Sequence, residues 1–294
     1  MDTLTIAMDQ SVTSYAHHFI PQTNKQERLV VLHHGHSCTF NDIPGDTDEG
    51  YGMQRTIYSL LSRGYSVLAV YMPYKATFFD INTCDVRTHD SLFDLQPSQG
   101  SSMKYFLEPV AVSLNYLRAR YSTGDFPRYK QYDMIGLSGG GWTTTVYSAI
   151  DTRIKYSFPV AGSMPLYLRK GDEPGDKEQI YSDFYKIAGY LDLYVLGSAG
   201  TGRKQIQILN RWDDCCFGQA QHDAAQTRST YDEAVRDYES RVQRILSSLG
   251  FDGGFRLHID NKAPHHTISR QTIKTILREL DIDSPRERNG HSRP

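Results

Sequence analysis

The segment Tyr132-Asp133-Met134-Ile135-Gly136-Leu137-Ser138-Gly139-Gly140-Gly141-Trp142 decides how the rest of this 294-residue chain is read. Tyr132 to Leu137 has the composition of a buried strand, and Trp142 to Ala149 reads as a helix. Between them stands G-x-S-x-G, Gly136 to Gly140. Alone, that pentapeptide is weak evidence. Its setting strengthens it, because a serine on so sharp a strand-to-helix turn is strained, and only glycine at the flanking positions lets neighbouring backbone pass close by. A phosphate-cradling loop is the competing reading. A P-loop would need Gly-Lys-Ser/Thr, and a dinucleotide loop G-x-G-x-x-G near the first strand of its unit, and neither is present. Ser138 is therefore the candidate nucleophile, with the Gly139 amide as one candidate oxyanion donor.

Outward from this turn, strands alternate with helices. Apolar, β-branched or aromatic runs bounded by turn residues predict strands at Ser14 to Ile20, Arg28 to His33, Tyr65 to Tyr71, Ile154 to Val160, Gln205 to Asn210 and Phe255 to Ile259, with a weaker one at Leu4 to Met8. Helical spacing predicts helices at Met53 to Ser62, Lys104 to Tyr121, Thr230 to Leu249 and Ser269 to Leu280. Repeated strand-then-helix order implies an α/β fold: a mostly parallel sheet of about eight strands covered by helices on both faces, since parallel neighbours need crossover connections. Residues 1–283 are expected to form a single domain. Two stretches break the alternation, Phe78 to Ser102 and Met164 to Lys204, and the second is expected to be a small cap insertion. The tail 284–294 is polar, with Pro, Arg, Asn and Gly, and is expected to be disordered.

Composition narrows the function. With 32 Lys+Arg against 34 Asp+Glu and a net charge of -2, nothing attracts the chain to nucleic acid or to an anionic membrane. No apolar run reaches the roughly 18 residues of a membrane span. The first residues have neither a basic n-region nor an apolar h-region, so a cytoplasmic location is expected. The four cysteines, Cys38, Cys84, Cys215 and Cys216, are too few for a disulfide scaffold, and reduced thiols are their plain reading. Adjacent Cys215 and Cys216 invite a redox or metal reading, but a ligand set needs further Cys or His at fixed spacing, which is missing nearby.

Two other places carry chemistry. At Leu32-His33-His34-Gly35-His36-Ser37, Gly35 lets the chain turn its next amide towards the site, which makes the His36 N–H the second oxyanion candidate and Ser37 a supplement. His34 and His36 also admit a metal reading, but no carboxylate joins them before Asp42, and no metal is assigned. Late in the chain, Asn210-Arg211-Trp212-Asp213-Asp214 follows one strand and Ala263-Pro264-His265-His266-Thr267-Ile268-Ser269 follows the last. A serine hydroxyl needs an imidazole base, and the imidazole needs a carboxylate to fix its tautomer. Serine, acid and histidine at successive strand C-terminal ends converge on one edge of a parallel sheet. Asp213 or Asp214 is the candidate acid, and His265 or His266 the candidate base.

Over roughly Tyr15 to Leu280 the chain resembles the α/β-hydrolase fold family of serine hydrolases. The compact branch of dienelactone-hydrolase-like and acetyl-esterase-like enzymes looks closest, from His34-Gly35, the elbow at Gly136 to Gly140, and His266-Thr267-Ile268-Ser269 leading into the final helix. The resemblance favours His266 over His265 as base. Relatives usually place a Gly about three residues before the acid, where this chain has Asn210, so Asp213 is preferred while Asp214 stays open. Many relatives also have Gly or a small residue at the position of His36. The implied reaction is hydrolysis of a small-molecule carboxylic ester through an acyl-enzyme, with no cofactor, by a monomer or homodimer. A peptidase or amidase using the same triad, and a non-catalytic hydrolase-fold binding protein, are the alternatives.

Twenty tyrosines are many for this length, and several cluster in the second insertion, at Tyr181, Tyr185, Tyr190 and Tyr194. A cap packing its own small core is the plain reading. An aromatic wall for a carbohydrate or aromatic ester is the sharper one, and it makes Tyr185 and Trp142 candidate substrate contacts.

Overall fold

The computed structural model describes residues 1–23, 25–35, 51–75, 86–169, 175–221, 228–251 and 253–282. In chain order the elements are β1 (Asp2–Ala7), β2 (Val12–Phe19), β3 (Arg28–His33), α1 (Met53–Leu61), β4 (Ser66–Val70), β5 (Tyr74–Lys75), α2 (Lys104–Tyr121), β6 (Gln131–Leu137), α3 (Gly139–Ile150), β7 (Ile154–Val160), α4 (Lys177–Ile180), α5 (Ser182–Tyr185), α6 (Tyr190–Ser198), β8 (Lys204–Asn210), α7 (Arg228–Ser248), β9 (Gly254–Asp260) and α8 (Arg270–Ile282). The strands form one sheet in the order β1-β2-β4-β3-β6-β7-β8-β9, with the short β5 paired to β2. β1, β2 and β4 run antiparallel to their neighbours along β2, and everything from β4 through β3 to β9 is parallel.

Burial explains why the central strands read as continuous apolar runs. All six residues of β3 are buried, because both faces of the sheet are covered. Val30 and Leu32 face one side, with Ile135, Leu137, Phe158 and Ile208, under α1 (Met53, Ile57, Leu60) and α8 (Ile273, Ile276, Leu277, Leu280). Leu29 and Val31 face the other, against Val110, Leu114 and Leu117 of α2. The period of two along β3 thus divides one strand between two cores. Farther along that second face, α3 and α7 cover the β8–β9 side through Trp142, Val146, Tyr231, Val235, Tyr238 and Val242. At the N-terminal edge of the parallel strands, Arg28 is fixed by Asp133 (2.7 Å) and donates to the Leu280 carbonyl (2.6 Å), tying β3, β6 and the end of α8 together.

The second insertion holds a turn at Leu166–Leu168, the two single-turn helices α4 and α5, and α6. Its last helix belongs to the body of the domain. Tyr194 of α6 is fully buried and stacks on Phe255 of β9 (5.1 Å between centroids) and Tyr238 of α7 (5.9 Å). The first insertion contributes a 3-10 segment, Val86–Asp94. The expectation for the tail 284–294 lies outside the described residues, as do His36, Ser37, Cys38 and Cys84.

Candidate active site

Parallel register brings the C-terminal ends of β3, β6, β7, β8 and β9 to one edge: His33 pairs with Gly136, Leu137 with Val160, Val160 with Ile208, and Asn210 with Asp260. Ser138 and Gly139 stand just beyond β6, Asp213 and Asp214 beyond β8, and His265 and His266 beyond β9, whereas Trp142 lies in α3 and Tyr185 in α5.

Ser138 lies between β6 and α3 with φ 59° and ψ -130°, a backbone region that L-residues rarely enter. The surroundings hold it there: its amide donates to the Val160 carbonyl (3.0 Å) and its carbonyl accepts from Trp142 in the first turn of α3 (2.9 Å). The flanking glycines are required by close approach. A Cβ on Gly136 would fall 2.0 Å from the Gly140 carbonyl oxygen, and one on Gly140 would fall 2.1 Å from the His33 carbonyl oxygen. α3 begins at Gly139, so the Gly139 amide is among the helix N-terminal donors that have no partner one turn earlier. Gly35 meets the elbow from β3: a Cβ there would stand 2.7 Å from Ser138 Cβ and 2.9 Å from the Gly139 nitrogen. The backbone that leads into His36 therefore passes directly against the nucleophile turn.

Beyond β8 the chain turns so that Asp213 is enclosed, at 1% exposure. Its Oδ1 accepts from the amides of Cys215 and Cys216, both at 2.9 Å. Its Oδ2 lies 2.7 Å from Nδ1 of His266. Both oxygens are thus directed, one by its own loop and one by the imidazole. Asp214 is exposed and His265 partly so; the carboxylate–imidazole hydrogen bond is made by Asp213 and His266. His266 Nδ1 donates to the carboxylate, which leaves Nε2, buried and without a hydrogen bond to any described residue, as the nitrogen with the lone pair.

The loop that carries His266 is pinned from three sides. Asp260, at the end of β9, accepts from the amides of Lys262 (2.8 Å) and Ala263 (3.1 Å) and from the hydroxyls of Ser269 and Thr272 (2.9 Å). Burial would raise its carboxyl, but these donors outweigh it and hold the group below its ordinary range. Ser269 also caps α8, accepting from the amides of Gln271 (3.1 Å) and Thr272 (3.0 Å). From β8, Asn210 Nδ2 donates to the carbonyls of Thr267 and His265, and from the far side Tyr51 accepts from the Ile268 amide (3.0 Å). Tyr51 meets the His266 ring edge-on at 6.3 Å and the His34 ring at 5.6 Å, and His34 in turn stacks on Tyr71. Asn210, Asp260 and Tyr51 were not singled out from the sequence. Asp213 Oδ1 makes an Asx-type turn with the amides of Cys215 and Cys216, but Asp214 stands at the same spacing from the amides of Cys216 and Phe217, so no local cue separates the two carboxylates.

Solved structures of similar fold extend over nearly the whole chain. Est1E from Butyrivibrio proteoclasticus matches 95% of this chain and 99% of its own at a TM-score of 0.55 and 11% identity. The fold is that of the α/β-hydrolases. An S-formylglutathione hydrolase from Agrobacterium tumefaciens is similar to this chain at a TM-score of 0.57 and 14% identity, over 95% of this chain and 94% of that one. An acylaminoacyl peptidase from Pyrococcus horikoshii is similar at a TM-score of 0.57 and 14% identity, with 96% of this chain spanning 41% of that protein. No protein-family model and no curated protein matches the sequence. No described helix is long and apolar enough to cross a membrane.

Trp142 is fully enclosed. Its indole N–H donates to the Tyr185 hydroxyl (2.7 Å), which donates to Tyr190 (2.8 Å), whose hydroxyl reaches the Gln179 carbonyl (2.9 Å). The chain links the first turn of the nucleophile helix to the insertion, and Trp142 acts in it by holding Tyr185. Tyr185 is half-buried and lines a cavity of about 380 Å³ with Pro165, Leu166, Tyr167, Tyr190 and Leu191. Burial raises the hydroxyls of Tyr185 and Tyr190 above the usual phenol range, so both stay neutral donors.

The cysteines correct the sequence reading. Reduced thiols were expected, whereas Cys215 and Cys216 are joined to each other, and their sulfurs lie with a ring nitrogen of His266 inside a span of 4.8 Å. The fold brings His266, distant in sequence, beside the pair.

Proposed function

We propose that this α/β-hydrolase is a serine esterase in which Ser138, His266 and Asp213 form the triad. The observation that carries the reading is the 2.7 Å hydrogen bond between Asp213 and His266, made at the same sheet edge where Ser138 is held at φ 59°. Asp213 fixes the imidazole tautomer with Nε2 unprotonated, so His266 takes the Ser138 proton as the hydroxyl attacks an acyl carbonyl. The Gly139 amide, with that of His36, stabilises the developing oxyanion. His266 then protonates the leaving alcohol, and water repeats the attack on the acyl-enzyme. No step calls for a cofactor.

A small-molecule ester with an aromatic or sugar part suits the tyrosine-lined cavity beside Tyr185, whose hydroxyl accepts from Trp142, one helical turn along α3 from Ser138. Apolar area with polar tips is what such a group requires. The test is labelling with a fluorophosphonate probe, followed by turnover of p-nitrophenyl acetate, p-nitrophenyl butyrate, a feruloyl ester, an acetylated sugar and an aminoacyl anilide. Labelling lost in Ser138→Ala, with ester turnover lost in Ser138→Ala and His266→Ala, supports the esterase. Anilide turnover exceeding that of every ester would replace it with an amidase, and unchanged turnover in both variants would remove the triad.

A further inference from the structure

We propose that Cys215, Cys216 and His266 form a redox-gated site for a soft divalent cation, closed while the cysteines are bonded to each other and open when they are reduced. The proposal rests on the preceding assignment only in its consequence for turnover; the site itself stands on the three side chains.

Two thiolates and an imidazole are a ligand set for zinc-like cations, which prefer sulfur and nitrogen in tetrahedral geometry. The potential ligand atoms of all three residues lie within 4.8 Å of one another. Bonds of about 2.3 Å to sulfur and 2.1 Å to nitrogen set ligand atoms roughly 3.5–3.8 Å apart, a spacing the opened pair and the imidazole reach by small side-chain movements. Two further features prepare the site. The Asp213 carboxylate already holds one ring nitrogen of His266, the arrangement that orients metal-ligating histidines. The Asp213 Oδ1 also fixes the backbone of both cysteines through their amides, so reduction need not release the loop.

Opening the site needs a dithiol reductant, and Cys215 is exposed to one. A thiolate of the reductant attacks one sulfur of the pair, and the mixed disulfide resolves with the reductant's second thiol. The reductant leaves as its cyclic disulfide, having passed two electrons and two protons to Cys215 and Cys216. A divalent cation then displaces both thiol protons to solvent and binds two thiolates and the imidazole, leaving a fourth position for water. Capture of either ring nitrogen stops the triad. Nε2 carries the lone pair that accepts the Ser138 proton, and Nδ1 carries the bond to Asp213.

The test uses the full chain with Cys38→Ser and Cys84→Ser, so that every thiol response comes from the pair. Oxidised protein, and protein reduced with dithiothreitol and desalted without oxygen, are titrated with Cd²⁺ while thiolate-to-cadmium charge-transfer absorption is followed; Zn²⁺ affinity is measured by competition with a chromophoric chelator. One equivalent should bind to the reduced chain and none to the oxidised chain, and His266→Asn should weaken binding at least tenfold. Zn²⁺ should lower p-nitrophenyl acetate turnover at least tenfold in reduced protein only, with recovery on adding EDTA. Equal binding in both redox states, binding indifferent to His266→Asn, or a metal-loaded chain of undiminished turnover would overturn the proposal. Absence of turnover in the metal-free oxidised protein would instead count against the esterase, while the cadmium titration still decides the site.

Discussion

Asn210 Nδ2 donates to the Thr267 carbonyl at 2.7 Å and the His265 carbonyl at 3.3 Å, so one side chain from the end of β8 grips both neighbours of His266. The strand that leads to Asp213 thereby also sets the height of His266. Asn210 is fully buried, and a small residue there would leave the two carbonyls to find other donors.

Asn210→Ala is expected to lower kcat for p-nitrophenyl acetate about 10- to 100-fold, the scale on which supporting residues act through the groups they orient, with KM within about twofold. The fluorophosphonate labelling rate should fall in parallel. A loss confined to thermal stability, with kcat per folded molecule intact, would show that the clamp serves the fold alone.

The choice between neighbouring carboxylates gives the next expectation. Asp213→Asn keeps the shape but no longer fixes the imidazole tautomer, and kcat should fall by about 10⁴. Asp214→Asn should stay within about threefold, since this carboxylate is exposed and the imidazole is held by Asp213. Steady-state kinetics on the two variants decide it, and the opposite ranking would transfer the acid to Asp214.

Gly35→Ala places a methyl group 2.7 Å from both Ser138 Cβ and the Leu137 carbonyl oxygen. Backbone cannot yield to it cheaply. Stability should drop by about 1–3 kcal/mol in urea unfolding, and kcat should drop by more than that loss explains, because in the proposed mechanism the displaced turn carries the Gly139 amide as an oxyanion donor.

Trp142→Phe removes the donor to Tyr185 while keeping an apolar ring in place. Unfolding free energy should fall by about 1–3 kcal/mol. Turnover of the acetate should change by less than about threefold, since the indole has no exposed surface, while KM for an aromatic ester rises if the Tyr185 cavity receives it. Tyr185→Ala should show the same KM effect more strongly.

A pH dependence of stability follows from His18, which sits buried beside Tyr129 at 2.7 Å. Burial is the main cause that brings its imidazole down to about 4, against the pull of Asp2 in the other direction. The unfolded chain, titrating near 6.5, takes up the proton first, so stability is fully present above about pH 6.5 and is lost as pH falls towards 4. At most about 3 kcal/mol is involved. Urea midpoints between pH 7 and 4.5 should slope less in His18→Gln than in the parent.

Local sequence sufficed for the main strands, for α1, α2, α3, α7 and α8, and for the elbow, but not for the short β5 or the helices α4 to α6 of the second insertion. Strand and helix runs are legible because burial on both sheet faces demands continuous apolar residues in β3, β4 and β6, and because the turn at Ser138 demands glycine where backbone meets backbone. Sequence order also brought serine, acid and histidine to successive strand ends. Which carboxylate and which histidine meet was settled by tertiary structure alone, because the Asp213–His266 bond joins residues 53 positions apart across two strand ends. The same holds for Asn210, whose partners lie 55 and 57 residues away, and for Trp142, whose enclosure depends on an insertion folding back over α3. The cysteine pair shows the limit most plainly. The histidine beside it, His266, lies far away in sequence and arrives only because β8 and β9 are adjacent and parallel.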